Sequence, residues 1–304
     1  MPIITIFGAT GTQGAAVLEH ILKDGKYTPR AVTRNVDSDK AKALIARGIE
    51  VVEGNLWDKE SLKKAIKGSA AVFGNTNFWD PDIYPANPKS EVTQGKNLVD
   101  AANEVGVSFF LYSSLPNATK ESNGLYTHCY HVDNKAEIEE YLKASGIPYA
   151  TICTGWFMEN LWNFASLVKT SKGYDIPLAI YGPEDKQIGT WISRDFGQAA
   201  VKVLNRFKFE NSKEVVLGKA YPVVSYRFTY PELAEAIGKA LKKEVTFTTL
   251  ETTGSAELDE AFTYGAKFGM YNSTPAPNPD LVALGVKFGT LEEFLEAEVV
   301  PRFA

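Results

Sequence analysis

The chain has 304 residues, 44% of them apolar and 23% charged, with a formal net charge of −5. That length suits one large or two modest domains, and the composition is that of an ordinary globular chain. The negative balance and the lack of a basic stripe argue against direct binding to nucleic acid, which needs many phosphate-neutralising cations, and no apolar run reaches the length of a membrane span.

The apolar run Ile3-Ile4-Thr5-Ile6-Phe7 begins at the third residue, so no signal peptide is expected. It feeds into Gly8-Ala9-Thr10-Gly11-Thr12-Gln13-Gly14, and Ala15–Leu22 then carries apolar residues at helical spacing. Strand, glycine turn and helix in that order build a cradle for a dinucleotide pyrophosphate. Glycines let the backbone turn tightly and approach the phosphates, and the helix N-terminus offers free N–H groups and the positive end of its dipole.

The alternation continues. Arg30–Thr33 reads as the second strand, and Asp37 or Ser38 caps a helix running to about Arg47. Glu50–Glu53 is the third strand, and Asp58 caps a helix over Lys59–Ile66. Ala70–Phe73 is the fourth strand, followed by a helix over Thr93–Glu104. Phe109–Tyr112 is the fifth strand, a helix spans Asn134–Ala144, and Tyr149–Ile152 is the sixth strand. Strands separated by such helices imply parallel pairing with right-handed crossovers, hence a doubly wound α/β sheet of Rossmann type.

After about residue 155 the rhythm breaks. Helices are expected over Arg194–Phe207, Pro231–Leu241, Ser255–Phe268 and Thr290–Val299, with one strand at Glu244–Leu250. Asn272–Pro279 carries three prolines and reads as a loop. The expected division is a Rossmann domain over 1–154 and a smaller α+β C-terminal domain over 155–304. The smaller part packs over the sheet's carboxyl edge and can lend elements to the sheet. Cys129 and Cys153 are too few for a disulfide framework and predict a reducing compartment, the cytosol first and the nucleus second.

NAD sites usually place an acid at the end of the second strand to hold the ribose 2′-hydroxyl. Here that strand ends Val32-Thr33-Arg34-Asn35, and a guanidinium suits a 2′-phosphate. Lys40 can add a second charge, so NADP is favoured over NAD. Asn55, after the third strand, is placed to hydrogen-bond the adenine.

Together these residues resemble the NmrA-like family, an atypical branch of the short-chain dehydrogenase/reductase superfamily. The likeness runs over nearly the whole chain. It includes the glycine turn, Thr33-Arg34-Asn35, Asn75-Thr76-Asn77-Phe78-Trp79-Asp80, Tyr112-Ser113-Ser114-Leu115-Pro116, Lys135 and Gly155-Trp156-Phe157-Met158-Glu159-Asn160. The resemblance implies that Gly8, Thr10, Gly11, Thr12, Gln13 and Gly14 contact the pyrophosphate and Arg34 the 2′-phosphate. It implies further that Thr76, Asn77 and Phe78 line the adenosine and nicotinamide-ribose side. Lys135 would reach the nicotinamide ribose, and Phe157 and Asn160 would flank the nicotinamide.

A typical short-chain dehydrogenase uses a Tyr proton donor with a Lys one helical turn later, and a Ser on the fifth strand. This chain keeps Ser113 and Lys135, but His131 stands where the Tyr is expected. Either His131 is the proton donor, since imidazole titrates near neutrality, or the relay is gone. The first expectation is a regulator that reports cofactor redox state with little or no turnover, through a protein partner. The alternative is an NADPH-dependent reductase of a small carbonyl, enone or quinone, with Lys135, His131 and Ser113 as candidate catalytic groups. A metal site at His128, Cys129 and His131 lacks a second ligand group. Cys153 reads as a small buried residue. Trp156, Phe157, Trp162 and Phe164 are either core, the favoured reading, or an aromatic wall over a substrate. Trp79 and Tyr84 fall in a loop expected over the cofactor mouth.

Overall fold

Ile3–Ile6 forms β1 near the middle of a sheet covered on both faces, which is why its residues are almost all apolar. The computed structural model describes residues 1–210 and 212–304. The strands that follow are β2 (Thr28–Thr33), β3 (Glu50–Glu53), β4 (Ala71–Gly74), β5 (Phe109–Ser114) and β6 (Tyr149–Thr154). Beyond them come β7 (Trp156–Phe157), β8 (Val168–Lys169), β9 (Gly173–Ala179), β10 (Lys186–Thr190), β11 (Ala220–Val223), β12 (Tyr226–Thr229) and β13 (Glu244–Leu250). The main sheet has the order β11-β6-β5-β4-β1-β2-β3 with every pairing parallel. It is the doubly wound Rossmann arrangement.

The main helices are α1 (Thr12–Asp24), α2 (Asp39–Ala46), α3 (Lys59–Ile66), α4 (Glu91–Glu104), α5 (Ala118–Glu121), α6 (Tyr130–Ala144), α7 (Asn160–Asn163), α8 (Gly197–Phe209), α9 (Tyr230–Leu241) and α10 (Ala256–Phe268). Two apolar layers sandwich the sheet. On one face Val17, Leu18 and Ile21 of α1 meet Ala200, Val203 and Leu204 of α8. On the other, Leu62 and Ile66 of α3, Leu98 and Ala102 of α4, and Ile138 and Leu142 of α6 share a core. Local capping sets the first helices: Ser38 accepts the Ala41 N–H, and Asp58 accepts those of Glu60 and Ser61.

The chain beyond residue 155 does not stay apart from these layers. β11 adds to the sheet alongside β6, with Ala220 opposite Thr151 and Val223 opposite Thr154, and α8 covers α1. The remainder builds two small three-stranded sheets, β12-β10-β7 and β13-β9-β8, around a third core holding Trp191, Phe228, Tyr230 and Phe294.

Several expectations need correction. Beyond residue 155 one strand was expected, and six more are present among the described residues. They are two to seven residues long, too short for a clear alternating pattern. The helix expected over Arg194–Phe207 starts at Gly197, after a wide π-type turn over Ile192–Phe196, and runs to Phe209. The last expected helix, Thr290–Val299, is a helix over Leu291–Phe294 that passes through a π-type stretch to Phe303. Pro279, assigned to a loop, opens a short helix to Ala283. Most consequential, α6 begins at Tyr130 and not at Asn134, so His131 lies in a helix and not in a loop. Its N-cap, Cys129, makes no capping bond. Carboxylates from α10 do that work instead: Glu260 accepts the His128 N–H at 2.7 Å, and Glu257 that of His131 at 3.1 Å. A cap supplied across 126 residues leaves no local mark on the sequence.

Candidate functional site

The glycine turn lies at the carboxyl end of β1. Gly8 has φ 67°, in the left-handed region, and its carbonyl accepts the Gly11 N–H at 2.9 Å. A Cβ on Gly14 would stand 2.2 Å from the Gly8 carbonyl oxygen, so only glycine lets α1 close on the turn. Gly11 caps α1 without a side-chain bond, leaving the first N–H groups of the helix uncapped by any side chain. Gly8, Gly11 and Thr12 are exposed, and Thr10 is half-buried. Across the groove, the Asn163 amide donates to Thr12 Oγ1 at 3.4 Å, bringing α7 to the turn. Gln13 is buried and accepts a 2.9 Å hydrogen bond from Ser113 Oγ. That bond uses the only proton of the Ser113 hydroxyl.

At the expected 2′-phosphate position, Lys40 Nζ donates to the Thr10 carbonyl at 3.1 Å. The Arg34 guanidinium, its side chain 59% exposed, is paired with Asp80, only 4% exposed. Asp80 stands in the segment after β4, and sequence reasoning gave it no role. Asn55 spends its carboxamide oxygen on the Trp57 N–H, a turn contact that leaves its amide protons available.

A buried polar network surrounds Lys135. Its ammonium donates to Glu91 Oε1 and, at 3.1 Å, to Thr76 Oγ1, while Thr76 donates to the same Glu91 oxygen at 2.7 Å. Asn134 Nδ2 reaches Glu91 Oε2 at 3.3 Å. The Tyr112 hydroxyl lies 3.4 Å from Thr76 Oγ1. Burial first, and the Glu91 charge second, raise its phenol well above the ordinary value, so it stays neutral. Asn77 is exposed, whereas Phe78 is buried.

His131 stands one turn before Lys135 on α6. Its Nδ1 lies 2.8 Å from Glu257 Oε1, and Nε2 has no hydrogen-bond partner among the described residues. The Phe78 and Trp79 rings are 5.6 and 6.1 Å from the imidazole. Tyr84, in the same loop, donates to Ser255, the N-cap of α10, at 2.6 Å. That loop therefore passes from Arg34 to the element that holds His131. Glu91, Asp80 and Glu257 were all missed from sequence. Asp80 lies in the Asn75–Asp80 motif, and Glu91 stands two residues before the helix expected over Thr93–Glu104. Glu257 had no signal at all.

The aromatic residues after β6 divide. Trp156 and Trp162 pack edge-on or stacked against Tyr230 and Phe294, as core. Phe157 packs on the α1–α8 core. Phe164 is 64% exposed and stands 6.3 Å from Trp79, itself 47% exposed. Asn160 is half-buried, and its Oδ1 is fully buried without a partner among the described residues. Cys153 is buried, and burial pushes its thiol up to about 12. A cleft of about 1190 Å³ lies on the other face of α6, lined by Leu115, Glu139, Cys153, Phe268, Tyr271 and Pro275. None of the predicted nucleotide residues lines it, so its size does not make it the reaction site. Among the described residues no cluster of His, Cys, Asp and Glu is arranged to hold a metal, and no helix is long and apolar enough to cross a membrane.

The profile of the NmrA-like family matches residues 2–295. The chain belongs to the NmrA-like family. Within the family's named proteins it is 34% identical to the NmrA-like family domain-containing oxidoreductase notA of Aspergillus sp. (strain MF297-2) over 249 residues, 77% of this chain and 71% of that one. Its fold is similar to that of NmrA, a negative transcriptional regulator solved in complex with NADP. The TM-score is 0.74 at 19% identity, covering 99% of this chain and 95% of that one. It is also similar to the NADPH-dependent quinone oxidoreductase QOR2 of Escherichia coli, solved with NADPH, with a TM-score of 0.73 at 24% identity over 97% and 99% of the two chains. NmrA-like architecture thus accommodates a regulator and a reductase on one scaffold, and identities this low establish the shared fold alone.

Proposed function

We propose that this NmrA-like protein binds NADP(H) along the carboxyl edge of the sheet and reduces a small organic carbonyl, enone or quinone, with His131 as proton donor. The observation that carries the reading is the His131–Glu257 pair at 2.8 Å, one helical turn from Lys135. The donor position is not vacated but refilled by a histidine held through its other nitrogen. The groove suits the cofactor on two counts: the turn that only Gly14 permits, and the first N–H groups of α1, which Gly11 leaves without a side-chain cap. Gly8, Thr10, Gly11, Thr12, Gln13 and Gly14 would hold the pyrophosphate, and Arg34 with Lys40 the 2′-phosphate. Asn55 would meet the adenine, Thr76, Asn77 and Lys135 the ribose side, and Phe157 with Asn160 the nicotinamide.

When bound, the cofactor supplies hydride. The chain's own residues must then orient the acceptor and deliver one proton. Glu257 occupies the Nδ1 side of His131, which leaves Nε2 as the nitrogen that gives the proton up. Lys135 donates without surrendering a proton, because its head is tied to Glu91 and Thr76. The test is NADPH oxidation with a panel of quinones and enones. His131→Gln is expected to cut turnover while leaving the NADPH dissociation constant within about twofold, since a positioned general acid contributes roughly 10²–10⁴ in rate. Equal turnover in parent and variant would sink the assignment.

A second reading is supported by a different observation. Ser113 is spent on Gln13 and Lys135 on Glu91, as in a site that holds a nucleotide without working on it. In that reading the protein senses cofactor redox state and passes it to a partner. It requires that NADPH and NADP⁺ bind with different affinity, because a ligand pair with no differential interaction shifts no equilibrium.

A further inference from the structure

Lys135 stands on the proposed ribose side of the groove, and the chain holds it with a carboxylate that no motif announces. Glu91 opens α4 and is completely buried. A buried carboxylate is costly unless paired and hydrogen-bonded. Glu91 meets both conditions. Oε1 takes the Lys135 ammonium and the Thr76 hydroxyl, and Oε2 takes the Asn134 amide, which also donates to the Pro88 carbonyl at 2.7 Å. Its place in the first turn of α4 adds the favourable end of the helix dipole. Asn134 and Lys135 are consecutive on α6, so the carboxylate grips one helix through two neighbouring side chains.

An ammonium has three N–H donors. Two are spent, on Glu91 and Thr76. One remains, on a side chain that is 13% exposed.

We propose that Glu91 is a positioning residue: it fixes the head of Lys135 so that a single N–H is presented to the cofactor ribose, and it commits Lys135 to anchoring the cofactor rather than supplying the proton. The proposal rests on the reading of Lys135 as a ribose ligand and does not depend on turnover. Glu91→Gln keeps the shape and removes the charge. A buried amine without its counter-ion favours the neutral form. NADPH affinity, measured by calorimetry, should therefore fall about tenfold or more. The ratio of variant to parent affinity should shrink further as pH rises, because loss of the counter-ion favours the neutral amine. Glu91→Asp, which retains the charge, should keep most of the affinity and the parent's pH profile.

Lys135→Met supplies the control. In that background Glu91→Gln should cause no additional loss of NADPH affinity. It should also raise the melting temperature above that of Lys135→Met alone, because it removes the orphaned carboxylate. If Glu91→Gln does not fold, the double variant and Glu91→Asp still carry the comparison, since neither leaves a buried charge unpaired. Should Lys135→Met weaken binding while Glu91→Gln lowers affinity equally in both backgrounds, or Glu91→Asp bind as poorly as Glu91→Gln, Glu91 merely supports the fold and the assignment is overturned. Unchanged NADPH affinity in Lys135→Met would instead remove the ribose reading of Lys135 itself, and the proposal with it.

Discussion

The two ends of the groove are built on opposite plans. The glycine turn is assembled from seven consecutive residues, and its geometry is enforced locally by Gly8 at positive φ and by the contact that forbids a Cβ at Gly14. The His131 end is assembled from three distant segments: α6, the loop after β4 and α10. It is held by Glu257, by the Phe78 and Trp79 rings, and by the Tyr84–Ser255 bond. A site with one locally determined half and one tertiary half can keep its cofactor while its chemistry changes. The second half depends on how α10 docks, whereas the turn's own geometry is fixed within the seven residues. That separation gives a physical reason why a single scaffold can host both a regulator and a reductase.

The strongest way to break the comparison is at the locally built end. Gly14→Val places a side chain where even a Cβ would lie 2.2 Å from backbone, so the turn and α1 must separate. NADPH binding by calorimetry should fall by more than about a hundredfold, the equivalent of roughly 2.7 kcal/mol or more. Far-ultraviolet circular dichroism should remain that of a folded chain. Retained nanomolar-to-micromolar binding would mean the cofactor does not use this turn. The matching change at the other end is Glu257→Gln. It keeps α6 capped through a neutral oxygen but withdraws the charge behind His131. Turnover of a quinone substrate should drop about tenfold or more, in the range that outer partners of catalytic groups contribute, with NADPH affinity unchanged. If the two variants affect binding alike, the two halves are not independent.

What the sequence discloses follows the same division. The order β1 to β6, the caps Ser38 and Asp58 and the glycine turn are written in short windows, where apolar period and capping chemistry agree. The four-residue spacing of His131 and Lys135 was legible, although the helix that carries both was expected to begin only at Asn134. What stayed hidden is whatever required a partner more than a few residues away. The start of α6 at Tyr130 depends on Glu257 and Glu260. The counter-ions Glu91 and Asp80 look, in sequence, like any surface acid. The short strands β7 to β12 are stabilised by pairing and not by pattern. Phe164 and Trp162 are two residues apart, yet one is exposed at the groove and the other is core.

The adenosine end sharpens the comparison at a smaller scale, because there a local residue, Arg34, is opposed by a distant one, Asp80. Arg34→Ala should weaken NADPH by about tenfold or more and leave NADH unchanged, since hydrogen bonds to charged groups are worth roughly 1.5–3 kcal/mol. Asp80→Asn should do the reverse. It removes a buried negative charge beside the expected phosphate and frees a guanidinium donor, so NADPH should bind several-fold tighter with NADH again unchanged. A loss of NADPH affinity in Asp80→Asn would show that the carboxylate holds Arg34 in place for the phosphate and does not compete with it.

The smallest effect is expected at a seam where Asp195, just before α8, meets the C-terminal segment. It is fully buried. Oδ1 accepts the Gly289 N–H at 3.1 Å, and Oδ2 has no hydrogen-bond partner among the described residues. Desolvation is the main cause that raises its pKa to about 6, against the pull of Ser225, the Gly289 N–H and Arg194. In the unfolded chain an Asp titrates near about 3.9. The folded state therefore holds this proton more tightly. The stability it lends is fully present below the unfolded value and is lost as pH rises through about 6. Asp195→Asn keeps the oxygen that Gly289 needs and never ionises. Its stability relative to the parent should be close to zero or slightly negative at about pH 4 and rise to a gain on the order of 1–2 kcal/mol at about pH 7.5. Urea unfolding of both proteins across that window measures the difference directly. A pH-independent difference would mean that Asp195 is ionised throughout, its charge balanced by Arg194 at 4.0 Å, and that the seam is an ion pair and not a neutral hydrogen bond.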